Sequence, residues 1–182
     1  MTENELIQQA RDGDNKAFEE LVKRYESQVA ATVIGMLGKG QEADDVGQEV
    51  FIRFYKALHS FREESSLGTF LTRIAMNLSL NELKRRKRRQ LFFKKTEDNM
   101  TNMTTNSDDT ITKHERQQLV QRAIQKLEPK FRAVIVLRLI EGYSTEETAR
   151  ILKIPIGTVL SRLSRAQRKL REILTPVMEE KI

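Results

Sequence analysis

Apolar residues recur at three- and four-residue intervals along most of this chain. Phe18, Leu21, Val22, Tyr25, Val29, Val33, Ile34 and Leu37 fall on one face of a helix, with Asp14 or Asn15 as N-cap after Gly13 and Gly38 as its stop. Val46, Val50, Phe54, Tyr55 and Leu58 mark a second long helix that ends near Ser60. A third begins after Gly68, carries Phe70, Leu71, Ile74, Ala75 and Leu78 on its apolar side, and runs into a cluster of cations. No segment sustains the period-two alternation of a half-buried strand.

The pattern collapses from Gln90 to Lys113, a stretch rich in Thr, Asn and Asp with little apolar content beyond Leu91, Phe92 and Phe93. Such a composition reads as a flexible linker. Helical spacing resumes at about Lys113, with Val120, Ile124 and Leu127 on one face. Pro129 stands where a helix can begin, followed by Phe131, Val134, Ile135, Leu137 and Leu139 before Gly142 closes it. The expected fold is all-α: one small helical domain over residues 1–89, a flexible linker over 90–112, and a second small helical domain over 113–182.

Composition narrows the chemistry. The 182 residues contain no Cys, which excludes disulfides, a thiolate nucleophile and Cys-ligated zinc. The longest aliphatic run, Ala133 to Leu137, is far short of a membrane-spanning helix, and no basic segment followed by an apolar one opens the chain. A soluble cytoplasmic protein without membrane insertion is expected. The net charge is +6, but its distribution says more. Residues 1–83 hold nine Lys and Arg against fourteen Asp and Glu, residues 84–89 are six cations in succession, and residues 113–182 hold fifteen basic against eight acidic side chains. One acidic and two basic segments imply two kinds of partner.

In the second domain, Ser144-Thr145-Glu146-Glu147 fits a capping box that starts a short helix with Ala149, Ile151 and Leu152. Lys153 to Gly157, including Pro155, interrupts it, and Thr158 can cap a last helix that buries Val159, Leu163, Ala166, Leu170 and Ile173. Two helices across a tight turn, with a small residue at the crossing, match a helix-turn-helix. The outer side of its second helix carries Ser161, Arg162, Arg165, Arg168 and Lys169. Ser and Arg at the N-terminal end suit base edges and phosphates, and the later cations suit phosphates. The bland alternative is a solvated basic face.

The first domain offers two further patterns. Asp44, Asp45, Gln48 and Glu49 pair at i,i+4 on one exposed helix face. Clustered carboxylates can bind a metal or exchange protons, but His59 and His114 stand apart from them, so docking of a basic partner is more economical and neither metal nor cofactor is expected. Arg73, Asn77, Asn81, Lys84 and Arg88 form a polar stripe on the third helix, and the loop from Phe61 to Gly68 lies beside Phe70. Amides and cations at this spacing suit bases and phosphates, and a polar loop against aromatic rings suits an unstacked base. A ligand-free surface loop is the competing reading.

Three motifs in order, Asp44-Asp45-Val46-Gly47-Gln48-Glu49-Val50-Phe51, Ser66-x-x-Thr69-Phe70-Leu71-x-x-Ile74-Ala75-x-Asn77 and Gly157-Thr158-Val159-x-Ser161-Arg162-x-x-Arg165-Ala166, closely resemble the bacterial sigma-70 family, and the two-domain size matches its extracytoplasmic-function group. The resemblance implies a non-enzymatic subunit of RNA polymerase that recognises and melts promoters. Its first domain would grip the polymerase clamp helices through Asp44, Asp45, Gln48, Glu49 and Phe51. The single-stranded minus-10 element would meet Phe61, Ser65, Ser66, Phe70, Arg73, Asn77, Asn81, Lys84 and Arg88. Duplex at the minus-35 element would meet Thr158, Ser161, Arg162, Ser164, Arg165 and Arg168, with this domain resting on the polymerase flap. An anti-sigma factor is the expected regulator. Phe70 stands where the family usually has Trp, and Asn81 where many relatives have Asp. Two rival readings are a free-standing helix-turn-helix regulator, which leaves residues 44–89 without a role, and a metal-dependent phosphoryl-transfer enzyme built on the 44–49 carboxylates.

Overall fold

The computed structural model describes residues 1–62, 64–94 and 113–179, and every regular element among them is helical. Helix α1, Glu3–Arg11, opens on a capping box between Thr2 and Glu5 that the apolar pattern alone does not reveal. Asp14 caps α2, Asn15–Leu37, by accepting from the Lys16 and Ala17 amides, and Gly38 ends it at a φ of 79°. Helix α3, Gln41–Ala57, passes into a short 3-10 turn at Leu58–Ser60. Helix α4 runs from Leu67 to Lys94.

The expected linker is therefore shorter at its N-terminal end, because residues 90–94 continue α4. Gln, Leu and Lys are sound helix formers, and an established helix extends at one hydrogen bond per residue without a new nucleus. The remainder of the linker reading, 95–112, lies outside the described residues. The chain resumes with α5 at Lys113–Lys126, α6 at Pro129–Ile135 with a π-helical turn over Val136–Ile140, α7 at Thr145–Leu152 and α8 at Ile156–Glu179.

In the first domain, Ile7 of α1, Leu21 and Val29 of α2, Val50 and Phe54 of α3, and Leu71 and Met76 of α4 are essentially solvent-free and form one core. The second domain packs Ile124, Leu127, Phe131, Ile135 and Ala166 in one cluster and Val134, Ala149 and Val159 in another. The domains are not separate bodies. Ala133, Val136, Leu137 and Ile151 join the core of the first domain, so α2 and α4 lie against α5, α6 and α7.

The close approach needs Gly35, since a Cβ at that position would meet the Val136 side chain at 2.9 Å. It also answers a backbone requirement. The last carbonyls of a helix lack intrahelical partners; at the end of α2 the Gly38 amide caps Ile34 O, and the second domain adds donors to this carbonyl and to those that follow. Gln121 donates to Ile34 O at 2.8 Å, Gln125 to Gly35 O at 2.9 Å and Arg132 to Met36 O at 2.6 Å. Arg86 of α4 donates to Leu37 O at 3.0 Å. A second polar bridge joins Gln28, Thr72 and Tyr143, with the Tyr143 hydroxyl donating to Thr72 Oγ1 at 3.0 Å and accepting from Gln28 Nε2 at 3.0 Å.

Candidate docking face and nucleic-acid interfaces

Helix α3 starts at Gly40 without a side-chain cap, so Glu42 and Asp44 in its first turn face the positive end of the helix dipole. Asp44, Asp45 and Gln48 are exposed, and Glu49 and Phe51 are half-buried at the edge of the same face. Asp45 accepts from Gln41 at 2.9 Å and Glu49 from Arg53 at 2.9 Å, both within the helix. The face also shows Ile52 and Tyr55, which are about half exposed and escaped the reading by charge. Carboxylates beside exposed apolar side chains make a surface suited to a basic, partly apolar protein partner.

The loop before α4 closes a cavity of about 260 Å³ lined by Ala57, Ser60, Phe61, Arg62, Glu64, Ser65, Phe70 and Arg73. Phe61 is nearly buried, and its ring centroid lies 4.8 Å from that of Phe70 while both rings contact Phe54. It therefore forms a wall of the cavity and not a free stacking platform. Arg11 of α1 holds the base of this wall by donating to the carbonyls of Leu58, at 3.1 Å, and Phe61. Sequence reasoning missed Arg11, because the carbonyls of Leu58 and Phe61 leave no residue-type signal. Ser66 accepts from the Thr69 amide at 3.2 Å and so caps the start of α4, while Ser65 lines the cavity. The Nε of half-buried Arg73 has no hydrogen-bond partner among the described residues.

Beyond the cavity, Asn77, Asn81, Lys84 and Arg88 are exposed along α4. The six successive cations divide by helical phase. Arg89 pairs with Glu42 at 2.7 Å and Glu82 at 3.1 Å, Arg85 pairs with Glu82 at 3.0 Å, and Arg86 pairs with Glu42. The Arg89 and Arg86 guanidiniums hold the Glu42 carboxyl below its ordinary pKa, against a smaller opposing effect of desolvation. Lys84, Lys87 and Arg88 make no ion pair among the described residues. Only half of the basic run is thus available to an outside anion.

The helix-turn-helix has the expected capping box, with Ser144 Oγ accepting from Glu147 N at 3.1 Å and Glu147 accepting from Ser144 N at 2.7 Å. These hydrogen bonds lower the Glu147 pKa. Lys153 takes the left-handed conformation at a φ of 54° and ends α7. Helix α8 begins at Ile156, two residues before the expected cap at Thr158. The Pro155 carbonyl accepts from Thr158 N at 2.9 Å and Val159 N at 3.1 Å, so backbone geometry starts the helix and leaves Thr158 in its first turn. Ala149 and Val159 are buried together at the crossing, and Ala166 is buried further along α8 against α5 and α6. Ser161, Ser164, Arg165 and Arg168 are exposed and Arg162 is half-buried. Lys169, expected among the phosphate-facing cations, donates to Glu128 at 3.0 Å and sits 5.0 Å from the Phe131 ring centroid. Ile156 and Leu160 add exposed apolar surface at the start of the same helix.

Residues 21–89 match the model of Sigma-70 region 2, and residues 117–170 match Sigma-70, region 4. The chain is 35% identical to the ECF RNA polymerase sigma-E factor of Escherichia coli strain K12, over 98% of this chain and 97% of that protein. It is 32% identical to the RNA polymerase sigma-H factor of Pseudomonas aeruginosa, over 98% and 96%. Among solved structures, CnrH in complex with the cytosolic domain of CnrY shares 26% identity at a TM-score of 0.67, covering 94% of this chain and 96% of that one. The sigma factor RpoE of Bartonella quintana, solved with the anti-sigma factor NepR, has the same fold at 24% identity and a TM-score of 0.69, with 88% of this chain and 98% of that one covered.

Proposed function

The chain belongs to the sigma-70 family, as a sigma factor of the extracytoplasmic-function group, and from that premise we propose which of its surfaces recognise and melt a promoter. The polymerase performs the chemistry, and this chain binds without an active site of its own in the cytoplasm. Among its described helices none is long and apolar enough to cross a membrane. Residues 1–89 serve as the polymerase and minus-10 domain and 113–182 as the minus-35 domain, with the segment between them as the connector through the enzyme.

The α3 face of Asp44, Asp45, Gln48, Glu49 and Phe51 docks on the clamp helices of the polymerase. The cavity beside Phe61, Ser65 and Phe70 takes one base extruded from the non-template strand, with Ser66 fixing the loop. Arg73, Asn77, Asn81, Lys84 and Arg88 follow that strand along α4. Thr158, Ser161, Arg162, Ser164, Arg165 and Arg168 meet the minus-35 duplex, and the same domain rests on the flap. The observation that carries this reading is the aromatic-walled cavity beside the Nε of Arg73, which has no hydrogen-bond partner among the described residues, at the start of a helix on which Lys84 and Arg88 make no ion pair among the described residues. Extrusion of a base costs a few kcal/mol of unstacking, which contacts to the captured strand offset.

The two elements lie about 25 base pairs apart, or roughly 85 Å at 3.4 Å per step. Here the two DNA-reading domains touch, so promoter engagement separates them. An anti-sigma factor is the matching regulator; CnrH, a relative of similar fold, was solved with the cytosolic domain of CnrY. Run-off transcription with core polymerase and this chain on a library of promoters tests the reading. Transcripts that start at a shared pair of upstream motifs are expected, and none above core polymerase alone would overturn it.

A further inference from the structure

Arg11 ends α1, outside the residues 21–89 that match Sigma-70 region 2, and its half-buried side chain crosses to the segment before α4. Its Nε donates to Leu58 O at 3.1 Å, and a terminal nitrogen of the same guanidinium donates to Phe61 O. Carbonyls at the end of a helical stretch lack ladder partners. Leu58 opens the short turn at Leu58–Ser60, and Phe61 leaves helical geometry at a φ of −67° and a ψ of 113°. Both residues are nearly solvent-free, where a carbonyl without a donor is costly.

The two carbonyls bracket one side of the cavity. Ala57, Ser60, Phe61 and Arg62 line it from the segment that Arg11 spans, and Phe70 and Arg73 line it from α4. With the Phe61 and Phe70 ring centroids 4.8 Å apart, a shift of residues 58–61 moves one aromatic wall against the other. A planar guanidinium with its donors in a fixed fork sets the separation of two acceptors, which a flexible ammonium does not. Helix α1 is itself anchored away from the cavity: Leu6, Ile7 and Ala10 are buried in the first-domain core, and the Tyr25 hydroxyl of α2 donates to Glu3. We propose that Arg11 is a positioning residue for base capture, which ties the Leu58 and Phe61 carbonyls to this support and so preforms the cavity for one base of the non-template strand. It touches no nucleotide. A pocket discriminates among ligands only while the shell behind its walls holds them in place. The inference rests on the reading of the cavity as the base pocket and adds a residue from outside the motifs that suggested it.

The test uses holoenzyme reconstituted from core polymerase and the full chain, on promoter DNA with 2-aminopurine at successive minus-10 positions of the non-template strand, a base that brightens when unstacked. One position should brighten in the wild type, and the four natural bases there should differ in open-complex stability. Arg11→Met keeps the aliphatic stem and loses the donors. It should weaken capture at that position by about tenfold, as for other hydrogen bonds to charged groups, and narrow the preference among the bases. Arg11→Lys should recover part of both. Tyr25→Phe, which loosens α1 without touching the wall, should behave as wild type, and affinity for core polymerase should be unchanged in all three. Wild-type preference in Arg11→Met, an equal loss in Tyr25→Phe, or a loss of core polymerase binding in Arg11→Met would each overturn the inference. Should Arg11→Met fail to fold by circular dichroism, an undiminished preference in Arg11→Lys would overturn it. Wild-type holoenzyme in which no position brightens would instead remove the base-pocket reading beneath it.

Discussion

The contact between the domains and the outer faces of α4 and α8 use the same residue types and treat them in opposite ways. At the contact, Gln121, Gln125 and Arg132 spend their donors on the carbonyls that end α2, and Tyr143 closes a bridge with Gln28 and Thr72. Burial draws the Arg132 guanidinium down to about 10, with the nearby Arg86 charge adding to the effect, yet leaves it charged at neutral pH. On the outer faces Lys84, Arg88, Arg165 and Arg168 are exposed and make no ion pair among the described residues. Cations satisfied inside the chain hold its own backbone, whereas cations left open are available to an external anion. The difference separates structural from recognition residues more sharply than charge alone.

The largest expected effect breaks the comparison at the docking face. Reversal of Asp45 and Glu49 together to Arg should weaken association with core polymerase by about a hundredfold or more, since like charges brought together at an interface cost several kcal/mol. Titration of labelled core polymerase measures this. The melting temperature should barely move, because among the described residues both carboxylates pair within α3.

Next is the contact between domains. Gly35→Val places a branched side chain where even a Cβ meets Val136 at 2.9 Å. Overpacking of this kind costs about 1–3 kcal/mol, so the closed arrangement should lose roughly tenfold or more in population. The substitution favours helix at that site, and helical circular dichroism should remain. Small-angle scattering or an interdomain distance probe reports the opening.

Why the acidic face of α3 was legible from sequence and this contact was not follows from what each is made of. Asp44, Asp45, Gln48 and Glu49 announce themselves by residue type and spacing. Helices α2 to α8 do so by apolar period, and the Ser144–Glu147 box by its end residues. Gln121 and Gln125 look like ordinary solvated positions on α5, because their acceptors are backbone carbonyls some ninety residues away and any sequence has carbonyls. The short α1 had a readable signal in Thr2 and Glu5, but too few apolar positions to establish a period. The six cations at 84–89 appear uniform until helical phase sends Arg85, Arg86 and Arg89 toward Glu42 and Glu82. Pro155 likewise displaced Thr158 as the start of α8 through its carbonyl, a role no side chain advertises.

A smaller effect sharpens the distinction between open and satisfied cations on a single helix. Arg165→Ala should weaken binding to minus-35 duplex several-fold and reduce the slope of log affinity against log salt by about one. Lys169→Ala on the same helix should leave that slope unchanged, because Glu128 and the Phe131 ring already hold its ammonium. Fluorescence anisotropy across a salt series distinguishes the two.

The smallest effect concerns an exception inside the contact. Glu141 is partly buried, and its Oε1 has no hydrogen-bond partner among the described residues. Burial raises its pKa above 4.5, and the nearby Thr32 hydroxyl of α2, which itself donates to Gln28 O, only partly opposes the rise. The closed arrangement therefore favours the protonated carboxyl. Its contribution is complete below the pKa Glu141 has when the domains part, and it is lost as pH rises through the higher closed-state value. Glu141→Gln removes that titration, so the variant should stay closed at neutral pH slightly more than wild type, with the two converging on acidification. Glu42 works in the other direction: its pKa is lowered by Arg89 and Arg86, and acid weakens that pairing within the first domain. Because Glu42 is present in both proteins, the difference between their interdomain distances over the pH series isolates Glu141. A constant offset at every pH would assign its effect to packing instead of charge.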